Sequence, residues 1–239
     1  MSKVSAGIAV MLFVHLWWRS WGSGGSYAGP TFVDLADGPA TLWDVSLLAF
    51  FSLAHSGFAT LWFRRVVGLE RSAMRRCYVH LTLVATLVVW ALWAPLSRPV
   101  LWNLSGIWNP LFAGVRVVSA AGLVWTLRGF GVLGFLGDAR ANPQDGSDIS
   151  VDGAFALCRH PLYFFLILFI GATTFMPLGR ALLAGAVVAY FALGSKLEER
   201  KMQRELGSSY SNYRAATPWL VPTPASLVRA FTRPSLRRS

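Results

Sequence analysis

The sequence predicts an all-α protein, a polytopic bundle of five or six transmembrane helices with a cytoplasmic C-terminal segment. Three observations predict it. Of the 239 residues, 54% are hydrophobic and only 14% are charged, where a soluble domain carries about a quarter charged residues. The apolar residues fall in blocks that approach the ~20 residues a helix needs to cross hydrocarbon. The net charge of +11 is also unevenly distributed. With a cytoplasmic N-terminus and six spans, the outer loops hold only Arg19, Arg98 and Arg180, and Arg116 lies inside a span. All other lysines and arginines fall on the inner side, as the positive-inside rule requires. The basic charge therefore reflects topology and faces lipid headgroups, which removes any need for a nucleic-acid partner.

Val4–Trp18 is the first candidate span. Lys3 and the apolar run also suit a cleaved signal peptide, but the exit "HLWWRSWGS" has Trp and Arg where a cleavage site needs small residues. An anchored helix ending in an aromatic belt is the better reading. The Gly-, Pro- and Ser-rich stretch Gly22–Ala40 reads as an outer loop. Leu42–Phe63 is the second span, Arg64–Arg76 a basic inner connection and Cys77–Leu96 the third span. Trp108–Leu127 is the fourth. Arg128–Arg159 is a long polar insertion of the kind that is functional or disordered. Pro161–Leu178 and Ala181–Leu197 complete the six. Lys196–Leu206 continues as a strong helix former, with a stop at Gly207. Tyr210, Tyr213 and Trp219 then alternate with prolines, as in a segment folded back on the membrane surface. The tail from Ala225 is basic and weakly amphipathic, suited to anionic lipid or to disorder. Cys77 and Cys158 lie on the cytoplasmic side and form no CxxC, so neither a disulfide nor a metal site is expected.

Two constellations carry chemistry. In "CRHPLY", Pro161 occupies the first turn of a helix, where proline is tolerated. Arg159, His160 and the unpaired N–H groups of that turn suit an anionic group, and Tyr163 follows. Taken alone, the same residues read as a membrane anchor. The second constellation is Glu198–Glu199, two carboxylates at the basic end of an apolar helix. Adjacent helical residues diverge by about 100°, so at most one of them faces a given pocket squarely; taken alone, the pair reads as a solvated helix face.

Taken together, "RHPLY", two apolar spans and "LEERKMQRELGSSYSNYRAATPWLVP" resemble the isoprenylcysteine carboxyl methyltransferase-like superfamily of integral membrane methyltransferases. The matching residues are Arg159, His160, Pro161, Tyr163, Glu198, Glu199, Met202, Leu206-Gly207, Tyr210, Tyr213, Pro218 and Pro222, over roughly residues 151–222. Phe165 stands where the family has glycine, which would narrow the cofactor's approach to the helix, and Leu206 replaces a common phenylalanine. "FSLAHSGFA" and "ERSAMRRCYVHLTLVATLVVWALWAPL" are similar to the thiol S-methyltransferase branch, which shades into NnrU-like membrane proteins.

The resemblance implies three parts: N-terminal transmembrane helices (1–127), a methyltransferase-like core (128–222) and a basic tail (223–239). It implies S-adenosylmethionine as methyl donor. His160, Pro161, Tyr163, Glu199, Tyr210 and Tyr213 would hold this cofactor. Glu198, Glu199, Arg159, Arg214 and His55 are the catalytic candidates. A thiol reacts as thiolate, which a nearby cation such as Arg159 favours. His55 is a mid-span ionisable residue, which usually faces a cavity or a partner; it either orients substrate or ties helices together. Asp44 and Arg116 either pair or snorkel. The implied acceptor is a small thiol or a lipophilic molecule. Prenylcysteine carboxylates and phospholipid amines remain open, as do a sterol-type reductase and a non-enzymatic assembly or transport helper.

Overall fold

A computed structural model describes residues 32–58, 66, 68, 71–96, 99–130 and 152–232. The expected span Val4–Trp18, most of the inner connection Arg64–Arg76 up to residue 70 and the middle of the insertion after Arg128 lie outside the described residues. The chain is mostly helical and divides into two units.

The first unit comprises the described residues through Ser105 together with Thr174–Ala186. Helix α1 (Asp37–Phe58) packs on α2 (Arg71–Leu92). Helix α1 begins five residues before the expected Leu42, inside what reads as an outer loop. Helix α2 begins at Arg71 and stops at Leu92, short of the expected Leu96. Its end is held by α1: Trp43 Nε1 donates to Leu92 O at 2.7 Å, and Ala94 N donates to Asp44 Oδ1 at 2.9 Å. Trp43 thus satisfies one of the terminal carbonyls of α2, and Asp44 accepts from the backbone N–H two residues beyond its end.

A departure from the all-α expectation follows. Strand β1 (Val100–Asn103) pairs antiparallel with β2 (Phe175–Pro177), Val100 opposite Pro177 and Asn103 opposite Phe175, with an irregularity between Val100 and Trp102. Leu178 N and Gly179 N continue the pairing to Pro99 O and Leu96 O. A Cβ at Gly179 would lie only 3.2 Å from Leu96 O, so a small residue is needed for this approach. Ala40, Ala94 and Leu96 form a buried cluster closed by Val33, Leu178 and Leu182.

The second unit comprises residues 106–130, 152–173 and 187–232. Helix α3 (Trp108–Phe130) packs along α5 (Pro161–Gly171), with the short α4 (Ala154–Leu157) beside both. The expected span Pro161–Leu178 is not one helix. Helix α5 has eleven residues, about 16 Å at 1.5 Å per residue, and the chain then enters β2. Helix α6 (Leu178–Ala216) starts in the first unit and continues through the second. It passes from the last apolar segment into the polar stretch and is interrupted at Gly207, where a stop is expected, before a second helical segment resumes. Gly207 has φ 52° and ψ −121°, a conformation glycine adopts without a Cβ penalty. Gln203 Nε2 bridges the bend, donating to Gly207 O at 3.0 Å and Ser211 Oγ at 2.9 Å. Tyr210 and Tyr213 therefore sit on a resumed helical turn and are both buried, in place of the expected proline-interrupted surface segment. Helix α7 (Pro224–Thr232) packs on α4.

Two helices among the described residues are long and apolar enough to cross a membrane: α3 over Trp108–Arg128, and α6. His80–Leu92 and Pro161–Gly171 are shorter apolar helices. The hydroxyls on these helices turn inward on their own backbones: Thr86 to Thr82 O, Ser119 to Val115 O and Thr126 to Gly122 O, at 2.7–2.8 Å. Such back-bonding satisfies these three hydroxyls without water. Large apolar side chains such as Leu53, Val117 and Leu193 point outward, as lipid-facing residues do.

Phe165 turns toward α3 and lies in a buried cluster with Ala156, Leu157 and Ala230. Its ring occupies the space a side chain at position 122 would fill, since a Cβ at Gly122 would come within 2.3 Å of it. The bulk at position 165 is thus absorbed by a glycine on α3. Two residues apart on a helix is about 200°, so it points away from Tyr163.

Candidate functional site

The site is built on two pieces of local structure in the second unit. The first is the entry to α5. His160 is the N-cap residue and its imidazole makes no capping bond, while Pro161 takes the first helical position. The side chain of His160 is therefore directed at a neighbour. The second piece is one face of α6. Phe191, Ser195, Glu198 and Glu199 recur at the i, i+4, i+7, i+8 spacing that places residues on one helical stripe.

The two pieces meet through Glu199. Its side chain is 12% exposed and that of Arg159 10%. Arg159 Nε donates to Glu199 Oε1 at 2.8 Å, and Nη2 approaches Oε2 at 3.5 Å. Nη1 of the same guanidinium donates to Arg214 O at 2.9 Å and Thr217 O at 3.0 Å. The backbone completes the tie: Arg159 N and His160 N donate to Pro218 O and Trp219 O. His160 Nε2 lies 3.2 Å from Glu199 Oε1, and Arg214 Nε lies 3.9 Å from Glu199 Oε2. Planar guanidinium geometry suits this multidentate role.

Glu198 also borders the site. Its carboxylate, 47% exposed, lies 3.7 Å from His160 Nδ1 and accepts from the Tyr163 hydroxyl at 3.3 Å. Glu199 is enclosed and Glu198 is open, yet both flank the same imidazole from its two nitrogens. Tyr163 is parallel to His160, with ring centroids 5.3 Å apart, and to Phe191, at 4.2 Å. Phe191 was not among the sequence candidates, although it stands seven residues before Glu198 on the same stripe, which was the available signal. Ser195 was missed too: it receives Trp219 Nε1–H at 3.2 Å and pins the returning chain to α6.

Tyr213 donates to Phe155 O at 2.9 Å and packs edge-on to Tyr210. Burial pushes the Tyr213 phenol well above its ordinary range. Burial, then the Glu199 carboxylate, raises Tyr210 to about 12. Cys158 is fully buried, and burial raises its thiol to about 12.

Arg159, His160, Pro161, Tyr163, Glu198, Glu199, Tyr210, Tyr213 and Arg214 thus all lie in one unit, around the entry to α5. His55 lies in the other unit. Its ring nitrogens meet the Tyr78 hydroxyl at 2.8 Å and the Thr82 hydroxyl at 3.1 Å, and it stacks on Phe51, the arrangement of a tie between α1 and α2. Arg116 donates through Nε to Ala172 O, where α5 ends. Among the described residues no group of three or more His, Cys, Asp or Glu side chains is placed to hold a metal ion.

The arrangement offers a half-open acidic and aromatic wall (Glu198, Tyr163, Phe191) and a half-exposed cation (Arg214), all held by an enclosed Arg159–Glu199–His160 core. Such a wall suits a ligand with a cationic head and a flat ring. Comparison with known proteins points in one direction. The chain is 29% identical over 210 residues to methanethiol S-methyltransferase 2 of Bradyrhizobium diazoefficiens, covering 83% of this chain and 81% of that protein. It is 29% identical over 217 residues to the methanethiol S-methyltransferase of Pseudomonas deceptionensis, covering 83% and 80%. It is 26% identical over 200 residues to that of Mycobacterium tuberculosis, covering 78% and 80%. No family model matches the chain, and no solved structure matches it. The chain is distantly homologous to methanethiol S-methyltransferases over most of its length.

Proposed function

We propose that this chain is a multi-pass membrane methyltransferase of five or six spans that uses S-adenosylmethionine to methylate a small thiol. The observation that carries the reading is the Arg159–Glu199–His160 core. It gathers, from the entry to α5 and one stripe of α6, the residues of the motif seen in the sequence, in a chain homologous to thiol methyltransferases. The catalytic part is the core at 128–222, on the cytoplasmic side, where a soluble charged cofactor and an apolar acceptor can both arrive. A cytoplasmic C-terminus goes with an even number of spans and a cytoplasmic N-terminus.

The residues present fit the proposed cofactor. The half-exposed Glu198 carboxylate suits an ammonium or ribose hydroxyls. The Tyr163 and Phe191 rings suit an adenine or a sulfonium cation, and Arg214 suits a carboxylate. When bound, the cofactor supplies an electrophilic methyl group on sulfur. The protein's part is to align the acceptor with that group and to exclude water around it. Arg159 has its guanidinium engaged by Glu199 and two carbonyls, so it is a positioning residue. His160 and Tyr163 set the wall, Pro161 sets the start of α5, and Tyr210 and Tyr213 close the C-terminal turn over it. His55 acts on the acceptor only if the acceptor reaches the membrane interior.

Calorimetric titration of S-adenosylmethionine into the detergent-purified chain tests the reading. Saturable binding that His160→Ala and Tyr163→Ala lose, with unchanged helix content, is the expected result. Product analysis with methanethiol, a prenylcysteine and a phospholipid amine as competing acceptors then distinguishes the thiol reading from its enzymatic rivals. Folded protein that binds no cofactor with or without acceptor overturns the reading in favour of a membrane helper.

A further inference from the structure

Helix α7 (Pro224–Thr232) plays no part in the site just described, yet it is well built. Thr223 caps it: Ser226 N donates to Thr223 Oγ1 at 3.2 Å and Thr223 N donates to Ser226 Oγ at 2.9 Å, a reciprocal pair of the capping-box kind. Pro224 follows at the first helical position, where its missing N–H costs nothing. The helix is strongly amphipathic, but its orientation is inverted. Ser226 and Ala230 face inward at 0% and 5% exposure, while Leu227, Val228 and Phe231 face outward at 45%, 62% and 75%. Val221, just before it, is also exposed. An aqueous surface would select the opposite arrangement.

The location of this apolar face is defined by its neighbours. Ala230 packs with Ala156, Leu157 and Phe165 at the entry to α5. Phe231 stacks on Trp125 with ring centroids 5.5 Å apart, and Trp125 stands three residues before Arg128, where the apolar stretch of α3 ends. Helix α7 therefore lies at the level where the apolar helices end, and aromatic rings gather at that level in membrane proteins. Charge agrees. From Leu206 to Ser239 the chain has no acidic residue and carries Arg214, Arg229, Arg233, Arg237 and Arg238.

We infer that α7 is an interfacial helix that lies in the plane of an anionic leaflet, with Leu227, Val228 and Phe231 in the acyl boundary and Arg229 at the headgroups. The apolar face and flanking cations are the two features that bind such helices to lipid. The inference rests on the membrane reading above and is independent of methyl transfer. It makes α7 a sensor of lipid charge, attached through α4 to the residues that enter the site.

The test uses the full chain in nanodiscs of phosphatidylcholine with or without phosphatidylglycerol. A benzoylphenylalanine photo-crosslinker replaces Phe231 and, in separate samples, Val117 and Glu205. Val117 faces outward in the middle of α3 at 70% exposure, and Glu205 is an exposed residue on the polar part of α6. Phospholipid adducts are expected at 231 and 117 and not at 205. At 231, phosphatidylglycerol should be enriched over its bulk share by about fivefold for one basic residue near the surface. The Arg229→Gln variant should bring that enrichment to unity. Lipid adducts at 117 but none at 231, adducts from 231 to a second copy or another protein, or equal lipid yield at 231 and 205 each overturn the inference for α7. Absence of lipid adducts at both 117 and 231 overturns the membrane reading itself.

Discussion

The Arg159–Glu199 pair should behave as one unit in stability, and a double-mutant cycle measures this. Both side chains are nearly enclosed, at 10% and 12% exposure, so removing one strands the other's charge in a poorly solvated place. Breaking a buried pair in this way costs about 3–5 kcal/mol. Glu199→Ala belongs at the lower end, because Arg159 keeps its bonds to Arg214 O and Thr217 O. Arg159→Ala belongs at the upper end, since those two carbonyls lose their donor as well. At about 2–4 °C per kcal/mol for a chain of this size, a loss of about 3 kcal/mol lowers the melting temperature of Glu199→Ala by roughly 6–12 °C. The double variant leaves no stranded charge and should cost less than the sum of the singles by about 2–3 kcal/mol. Thermal unfolding in one detergent, followed by circular dichroism, gives all four corners. Additivity within about 0.5 kcal/mol, or single losses below about 1 kcal/mol as for a surface pair, would refute the reasoning.

Glu198→Gln should leave stability within about 0.5 kcal/mol, as for an exposed position, yet weaken S-adenosylmethionine binding about tenfold if the loss of one charge-assisted bond is worth ~1.5 kcal/mol; titration calorimetry reads both the Kd and the folded fraction. Gly122→Ala drives a methyl into the Phe165 ring and should cost about 1–3 kcal/mol by overpacking, with Phe165→Leu in the same chain recovering part of it in a thermal melt. Asp44→Ala leaves Ala94 N–H buried without its acceptor and should cost about 1–3 kcal/mol, whereas Asp44→Asn keeps an acceptor oxygen and should cost less. The buried Cys158 thiol and Tyr213 phenol both titrate above their ordinary values, Cys158 at about 12 against 9.0. An unfolded chain therefore releases these protons first: stability is full below pH 9 and declines as pH rises toward 12. Cys158→Ala should flatten the lower part of that decline in a pH series of melts.

The residues that the structure gathers in the candidate site were legible in the sequence because they carry unusual chemistry for their positions. An Arg-His-Pro run before an apolar stretch, and paired glutamates on the basic side, conflict with what a mere anchor needs. Pro161 at the first helical position and the continuation of α6 through Lys196–Leu206 follow from backbone chemistry local to a few residues. So does the interruption at Gly207, although whether a further helical segment resumes after it depends on what the next turn packs against. The extent of the helices was less legible. Hydropathy counts apolar residues without asking whether they share one helix, so Pro161–Leu178 read as a span when it is a short helix followed by β2. The partner of β2 lies more than seventy residues earlier in the chain, at Val100–Asn103, and long-range pairing of this kind leaves no periodic trace.

By itself, the sequence determined composition, charge asymmetry, the motif residues and the chemistry they can offer, because each depends on residue type and near-neighbour spacing. Only the tertiary structure decided which glutamate is enclosed, that Arg159 is engaged as a clamp while Arg214 stays half-exposed, that Phe165 lies against Gly122, and that α7 turns its apolar face outward. Each of these is a question of which side chain reaches a shared volume first. Volume and burial arise from elements far apart in the chain, and one-dimensional spacing carries no record of them.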